Sequence, residues 1–178
     1  MRLIVSCAAA LAASLASAAP AANAPAPPAA PPSCNGAEFH QMDFWLGDWR
    51  AEFVGGGTGT NRITREFDGC VVHEHFRVDE GSGGRPPLIG ESFSVYHALN
   101  KMWRQTWVDN QNGYFDLTGG PQQDGSFILQ VIRVGREPHM MRMVYQDITR
   151  DSFTWRWQQS DDGDTWTDTW VIHYTRAK

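Results

Sequence analysis

An acidic side chain interrupts an apolar strand face near the middle of the sequence. In the segment 71–78 the alternate residues Val72, Glu74, Phe76 and Val78 share one face, so the carboxyl group of Glu74 is set among apolar neighbours. Burial disfavours the charged form of a carboxyl group and raises its pKa. Such a group can anchor a bound ligand or act as an acid.

Two more polar side chains share apolar faces of this kind. Arg65 and Gln105 each lie between two apolar residues at alternate positions. If residues 68–69 form a two-residue turn, Arg65 faces Val72, and Glu74 lies one step further along the same face. The pattern predicts either polar anchors for a ligand at the floor of a cavity, or a structural ion pair between Arg65 and Glu74.

Large apolar side chains recur at even spacing in the strands that would surround these groups. Even spacing places them on one face of a strand, where they either fill a core or line a cavity. Because the chain has eight tryptophans, the more specific of these two hypotheses is a cavity with an aromatic lining. We predict a lining of Trp103, Trp107, Met141, Met143, Tyr145, Trp155, Trp157, Trp166 and Trp170, with Arg65, Glu74 and Gln105 as polar anchors.

The histidines do not predict a cofactor site. His73 and His75 have a spacing that can bind zinc, but alternation places them on the face opposite Glu74, toward solvent, so no metal is predicted. Haem bound through His173 is an alternative, but that residue alternates with Trp170 and so points away from the lumen. No cofactor is therefore predicted. No catalytic residue is predicted either, because no nucleophile motif is present and no second carboxylate is placed beside Glu74.

The elements that position these residues are short β-strands in series. Turn residues separate nearly every pair, which is typical of an antiparallel meander. Closing such a meander removes its exposed edges, so we predict an all-β, up-and-down barrel of about ten strands, with a two-sheet sandwich as the alternative. The predicted strands are 49–54, 60–68, 71–79, 88–97, 102–109, 114–118, 126–134, 139–148, 152–160 and 165–175, after a short helix at 37–46.

The first 32 residues predict export. One positive charge, a short Ala/Leu-rich run and the triplet Ala16-Ser17-Ala18 are typical of a secretory signal peptide, residues 1–18, cleaved near Ala18. Residues 19–32 are almost wholly Ala and Pro and predict a disordered spacer. Residues 33–178 then form one β-barrel domain in the periplasm or outside the cell.

The net charge and the apolar content limit the classes of partner that the protein could bind. The chain has 15 basic and 20 acidic side chains, and loss of Arg2 with the signal peptide leaves 14 against 20, a net charge of −6. Such a chain is a poor binder of nucleic acid, and no further apolar run predicts a stable membrane insertion.

Cys34 and Cys70 predict a disulfide in an oxidising compartment, two separate buried thiols being the alternative.

Five motifs in this order carry a resemblance: 43–50 (DFWLGDWR), 69–75 (GCVVHEH), 90–93 (GESF), 103–110 (WRQTWVDN) and 160–166 (SDDGDTW). From about Cys34 to Arg176 the chain resembles a family of exported bacterial proteins with a calycin-like barrel, a domain of unknown function. The resemblance implies a lipocalin-like barrel in which a short helix leads into a Gly-x-Trp first strand. It implies no catalytic residues.

The residues favour a container for a small, largely apolar or aromatic molecule over an enzyme. The alternatives are a hydrolase that uses Glu74 as acid or base, and a non-catalytic scaffold with a filled lumen.

Overall fold

A computed structural model of the chain describes residues 33–84, 86–132 and 139–178. The predicted signal peptide (residues 1–18) and spacer (residues 19–32) lie outside these ranges. Among the described residues, no helix combines the length and the apolar character that crossing a membrane requires.

Ten antiparallel strands close into a barrel in which each strand pairs with its neighbours in sequence and the first pairs with the last. The predicted all-β, up-and-down, calycin-like barrel is confirmed, and the two-sheet sandwich is excluded. Closure satisfies the backbone groups that would otherwise be exposed at two sheet edges. The strands are β1 (Gly47–Phe53), β2 (Thr58–Glu66), β3 (Val71–Val78), β4 (Ile89–His97), β5 (Met102–Asp109), β6 (Tyr114–Pro121), β7 (Phe127–Val131), β8 (Met140–Gln146), β9 (Ser152–Ser160) and β10 (Thr167–Arg176).

A short N-terminal segment, residues 37–45, closes one end of the barrel and is called the cap here. The predicted helix is present as two 3₁₀-helices, Ala37–His40 and Asp43–Trp45. Phe39, Met42 and Trp45 are buried and recur every third residue, which is the period of a 3₁₀-helix, so all three face the barrel.

The cap is also held by covalent and polar links. The predicted disulfide joins Cys34, just before the cap, to Cys70 in the β2–β3 turn, with a Cα–Cα distance of 5.1 Å. Trp103 Nε1 donates a hydrogen bond to Gln41 Oε1 at 3.0 Å. The opposite end of the barrel carries the β3–β4 connection, which includes a third 3₁₀ segment, Ser82–Gly84.

Candidate functional site

The barrel contains a cavity of about 160 Å³ at the end opposite the cap. Its mouth is formed where β5 and β9 end and β6 begins, and the side chains there are half-buried, as at Phe115 and Trp157. Its inner part reaches Glu74 and Tyr145, which are buried. The lining consists of Glu74, Phe76, Leu88, Trp107, Asp109, Phe115, Met143, Tyr145, Trp155, Trp157, Trp170, Ile172 and Tyr174.

Four tryptophans make the cavity wall largely aromatic. Trp155 stacks on Trp157 with ring centroids 6.2 Å apart, and Trp170 meets Trp155 edge to face at 5.7 Å. Trp107 lies toward Phe76, at 6.2 Å between ring centroids. Aromatic rings in offset-stacked and edge-to-face contact hold one another in fixed orientations, so this wall presents a rigid apolar surface to the cavity.

The carboxyl group of Glu74 is the polar group at the base of the cavity. Its Oε1 accepts a hydrogen bond from Asn61 Nδ2 at 2.7 Å, and its Oε2 accepts one from Ser92 Oγ at 2.6 Å. Gln105 Nε2 in turn donates to the hydroxyl groups of Ser92 and Ser94, at 3.1 and 2.9 Å. The network holds the carboxyl group in one position while leaving acceptor capacity on both oxygens.

Burial raises the pKa of Glu74 from 4.5 to about 7, although the hydrogen bonds from Ser92 and Asn61 act in the opposite direction. The group therefore takes both the neutral and the charged form near neutral pH. Burial, and then the charge of Glu74, raise the pKa values of Tyr145 and Tyr174 well above the usual 10.0, so both phenols remain neutral. The base of the cavity thus combines one titrating acceptor with two hydroxyl groups.

The other carboxylate that lines the cavity is that of Asp109, whose two oxygens accept hydrogen bonds from residues near the end of its own strand, β5. Asp109 Oδ2 accepts from Trp107 Nε1 at 2.9 Å, and Oδ1 accepts from the backbone N–H groups of Gln111 and Gly113, each at 2.8 Å. Burial alone would raise the pKa of Asp109, but these hydrogen bonds outweigh it and lower the pKa. Asp109 therefore fixes the indole of Trp107 at the mouth.

The structure brings seven of the twelve candidate residues to the cavity. Glu74, Trp107, Met143, Tyr145, Trp155, Trp157 and Trp170 all line the cavity. Gln105 lies behind Glu74 and orients its partner Ser92. Met141 packs against the core without lining the cavity, and Trp103 is buried against the cap, where its indole N–H is used.

The predicted ion pair between Arg65 and Glu74 is wrong. Arg65 does face Val72 in the β2–β3 register, but its guanidinium group turns toward the cap. There it bonds to Asp43 and donates to the carbonyl oxygens of Phe39 and Gly69, at 2.7 and 2.6 Å. Arg65 is therefore a link between barrel and cap, not an anchor in the lumen.

The prediction for Trp166 is also wrong, because β10 contains a bulge. The register shifts between Asp168 and Trp170, so the alternation that places Trp170 inside does not extend back to Trp166. The guanidinium group of Arg142 lies 3.9 Å from the Trp166 ring centroid, and the Trp166 indole N–H donates to the Gly163 carbonyl. Asp168 likewise bonds to Arg156 on the outer face.

His173, the residue considered for haem ligation, is exposed on β10 between the buried Ile172 and Tyr174. Its ring lies 3.4 Å from Thr154 Oγ1 on the neighbouring strand. The imidazole therefore lies on the outer face of β10, opposite to the cavity.

Two residues of the site were missed because only the register reveals them. Asn61 and Ser92 are small polar residues in strands, and nothing in their own segments indicates a carboxylate partner. In the structure Ser92 faces Glu74 directly across β3 and β4, whereas Asn61 reaches Glu74 from a diagonal position on β2. Ser92 falls within the motif GESF at 90–93, but the motif does not indicate its partner.

Gly90 shapes the cavity wall, and its replacement is expected to disturb it. A Cβ atom at this position would lie 2.1 Å from Cζ2 of Trp107, so Gly90→Ala must displace the indole. Overpacking of this kind costs about 1–3 kcal/mol. We expect a lower melting temperature and a shifted tryptophan fluorescence spectrum. Gly120→Ala is the matched control, because its Cβ would meet only Trp103 Cδ1, at 3.9 Å; equal effects of the two substitutions would contradict this role of Gly90.

Fold and cavity together define a calycin-like barrel with an aromatic internal pocket. No family model matches the chain, and comparison with curated proteins gives no match. Among solved structures, the chain is similar to the S-type phycobiliprotein lyase CPES from Guillardia theta, at 12% identity and a TM-score of 0.48, over 77% of this chain and 90% of that one. It is also similar to EF1p2_mFAP2b bound to DFHBI, at 8% identity and a TM-score of 0.41, over 79% of this chain and 99% of that one. These identities and TM-scores are too low to transfer a ligand or an activity.

Proposed function

We propose that this protein binds a small molecule inside the barrel, and that the molecule has a compact, largely apolar or aromatic body and one hydrogen-bond donor. The observation that carries the proposal is the cavity itself, with four tryptophans on its wall and Glu74 at its base. Ligand sites commonly combine an apolar lining with a few placed polar groups that fix orientation.

The volume of the cavity sets the size of the ligand. At about 160 Å³ it is smaller than the roughly 300–1,000 Å³ of pockets for drug-sized molecules. It is close to the about 150 Å³ of an engineered apolar cavity that binds benzene. A single aromatic ring with a short substituent fits this volume.

Glu74 supplies the preference for a donor. Its oxygens accept hydrogen bonds from Asn61 and Ser92, and their remaining lone pairs are available to a hydroxyl or amine group on the ligand. Hydrogen bonds to an ionised acceptor are stronger than those between neutral groups, so a bound donor also favours the charged form of Glu74.

Calorimetric titration with phenol tests the proposal. We expect one molecule of phenol to bind per chain. Trp107→Ala should weaken phenol binding about tenfold, because it removes an aromatic wall that is worth roughly 1.4 kcal/mol. Trp166→Phe is the matched control, since that indole lies outside the cavity, and it should leave the affinity unchanged. Absence of saturable binding by the folded chain, or equal losses in both variants, would contradict the proposal.

We further propose the setting in which binding takes place. The signal peptide predicted from the sequence and the disulfide support export to the periplasm or beyond, with a small molecule and not nucleic acid as the partner. The five ordered motifs support membership of the exported calycin-like family that they resemble.

A catalytic role for Glu74 is the second candidate, and its pKa of about 7 favours it. General acid–base groups work best with a pKa near the operating pH. This role requires turnover of a bound substrate that Glu74→Gln abolishes while the fold is retained. Binding without turnover supports the container instead.

A further inference from the structure

Three potential metal ligands converge on the outer face of the barrel, away from the cavity. His73 and His75 belong to β3, and Glu91 lies directly opposite His75 in the β3–β4 register. Their ligating atoms all lie within 4.8 Å of one another. No other group of three or more such residues comes together in the described part of the chain.

The two imidazoles converge on one carboxylate. His73 Nε2 lies 3.1 Å from Glu91 Oε2, and His75 Nδ1 lies 3.2 Å from Glu91 Oε1. The ring centroids of the two histidines are 3.9 Å apart. Zinc–ligand bonds of about 2.0–2.1 Å imply donor atoms about 3.3 Å apart in a tetrahedral site. Each imidazole nitrogen lies close to this distance from one oxygen of Glu91, Oε2 for His73 and Oε1 for His75.

The arrangement is supported from one side. The ring of Phe93 stacks on His73 with centroids 4.1 Å apart and planes inclined by 20°, and His73 is only 14% exposed. His75 and Glu91 are 44% and 45% exposed, so the open side of the cluster faces solvent. A fixed inner ligand with two accessible outer ones leaves room for a cation and for water.

The cluster offers a cation one carboxylate and two imidazoles, and two arginines share its outer face. Arg77 is exposed on β3, two residues beyond His75. Arg62 faces His75 from β2, but its guanidinium group lies 3.8 Å from Asp48. Two imidazoles and one carboxylate are a donor set that suits zinc and related divalent transition metals.

We propose that His73, His75 and Glu91 bind one divalent transition-metal ion, of the zinc class, on the outer face of the barrel. Three protein ligands leave at least one coordination position to water, which is the ligand count of an open site. This site is separate from the cavity and does not depend on the proposed ligand.

Calorimetric titration of the metal-stripped, untagged full chain with Zn²⁺ tests this site. We expect one Zn²⁺ per chain. His75→Asn and Glu91→Gln should each weaken binding at least tenfold, because loss of even an outer-shell partner of a metal ligand costs about 10–100-fold in affinity. Both side chains are about half exposed, so these variants should fold.

His139→Asn is the matched control, because His139 is similarly exposed and contacts a carboxylate, that of Asp161, outside the cluster. It should bind Zn²⁺ with unchanged affinity. Co²⁺ should give the visible absorption of a low-coordinate site, and this absorption should be lost in His75→Asn. The proposal is overturned by the absence of saturable Zn²⁺ binding, or by binding that either His75→Asn or Glu91→Gln leaves intact; the cluster is then only a hydrogen-bonded group.

Discussion

Replacing both Cys34 and Cys70 with serine is expected to lower the free energy of unfolding by about 4 kcal/mol. The disulfide joins residues 36 positions apart, and cross-linking a loop of this length restricts the unfolded chain. A domain of this size should lose roughly 10 °C in melting temperature. Thermal unfolding followed by circular dichroism measures the change.

The substitution should also loosen the cap. Cys34 lies three residues before the first 3₁₀-helix of the cap, in which Phe39 is buried. Cys70 lies in the β2–β3 turn, where Arg65 donates a hydrogen bond to the Gly69 carbonyl. Reduction of the wild-type disulfide is the matched control and should give the same destabilisation. An oxidised wild type that melts within 2–3 °C of the double variant, a difference of about 1 kcal/mol, would contradict this account.

Glu74→Gln is expected to change how stability depends on pH. The folded chain holds the Glu74 proton up to about pH 7, whereas the unfolded chain releases it near pH 4.5. Between these values the folded state binds more protons at Glu74. The contribution of Glu74 to stability is therefore greatest below pH 4.5 and is lost as the pH rises through 7. The loss at pH 8 is about 3 kcal/mol.

The variant carries a neutral amide at the same place and should not show this loss. The difference in unfolding free energy between wild type and variant, measured from pH 5 to 8, isolates Glu74 from the other ionisable groups. Asn61 can turn its amide so that Oδ1, which has no partner among the described residues, accepts from the new N–H group. Glu52→Gln, at an exposed position on β1, is the control. A difference curve that stays flat across this range would show that Glu74 titrates normally.

The architecture could be predicted because its signals are local. Alternation along each strand and the turn residues between strands are read within short windows, and they correctly indicated ten strands and an inward Glu74. The same reasoning failed where the phase of alternation changes. The bulge between Asp168 and Trp170 reverses the face of the preceding residues, and no sequence signal marked it.

Side-chain hydrogen-bond partners on different strands could not be predicted, because they depend on the pairing register and on how far each side chain reaches. Arg65 was placed correctly opposite Val72, but its side chain is long enough to reach the cap, where carbonyl oxygens and Asp43 provide better partners than a buried carboxyl group. Asn61 became a partner of Glu74 only once β2 and β3 were paired in register.

The motif GESF shows how one short segment serves both faces of the barrel. Toward the lumen, Gly90 makes room for Trp107, and Ser92 donates to Glu74. On the outer face, Glu91 bridges the two histidines of β3, and Phe93 stacks on one of them. Alternation along β4 therefore links the cavity and the proposed metal site through adjacent residues.

A crystal structure of the wild-type chain soaked with phenol tests the central claim most directly. The account predicts a single ring among Trp107, Trp155 and Trp170, with its hydroxyl oxygen within hydrogen-bond distance of Glu74. Ordered water alone in the cavity, or phenol bound only on the outer surface, would contradict it.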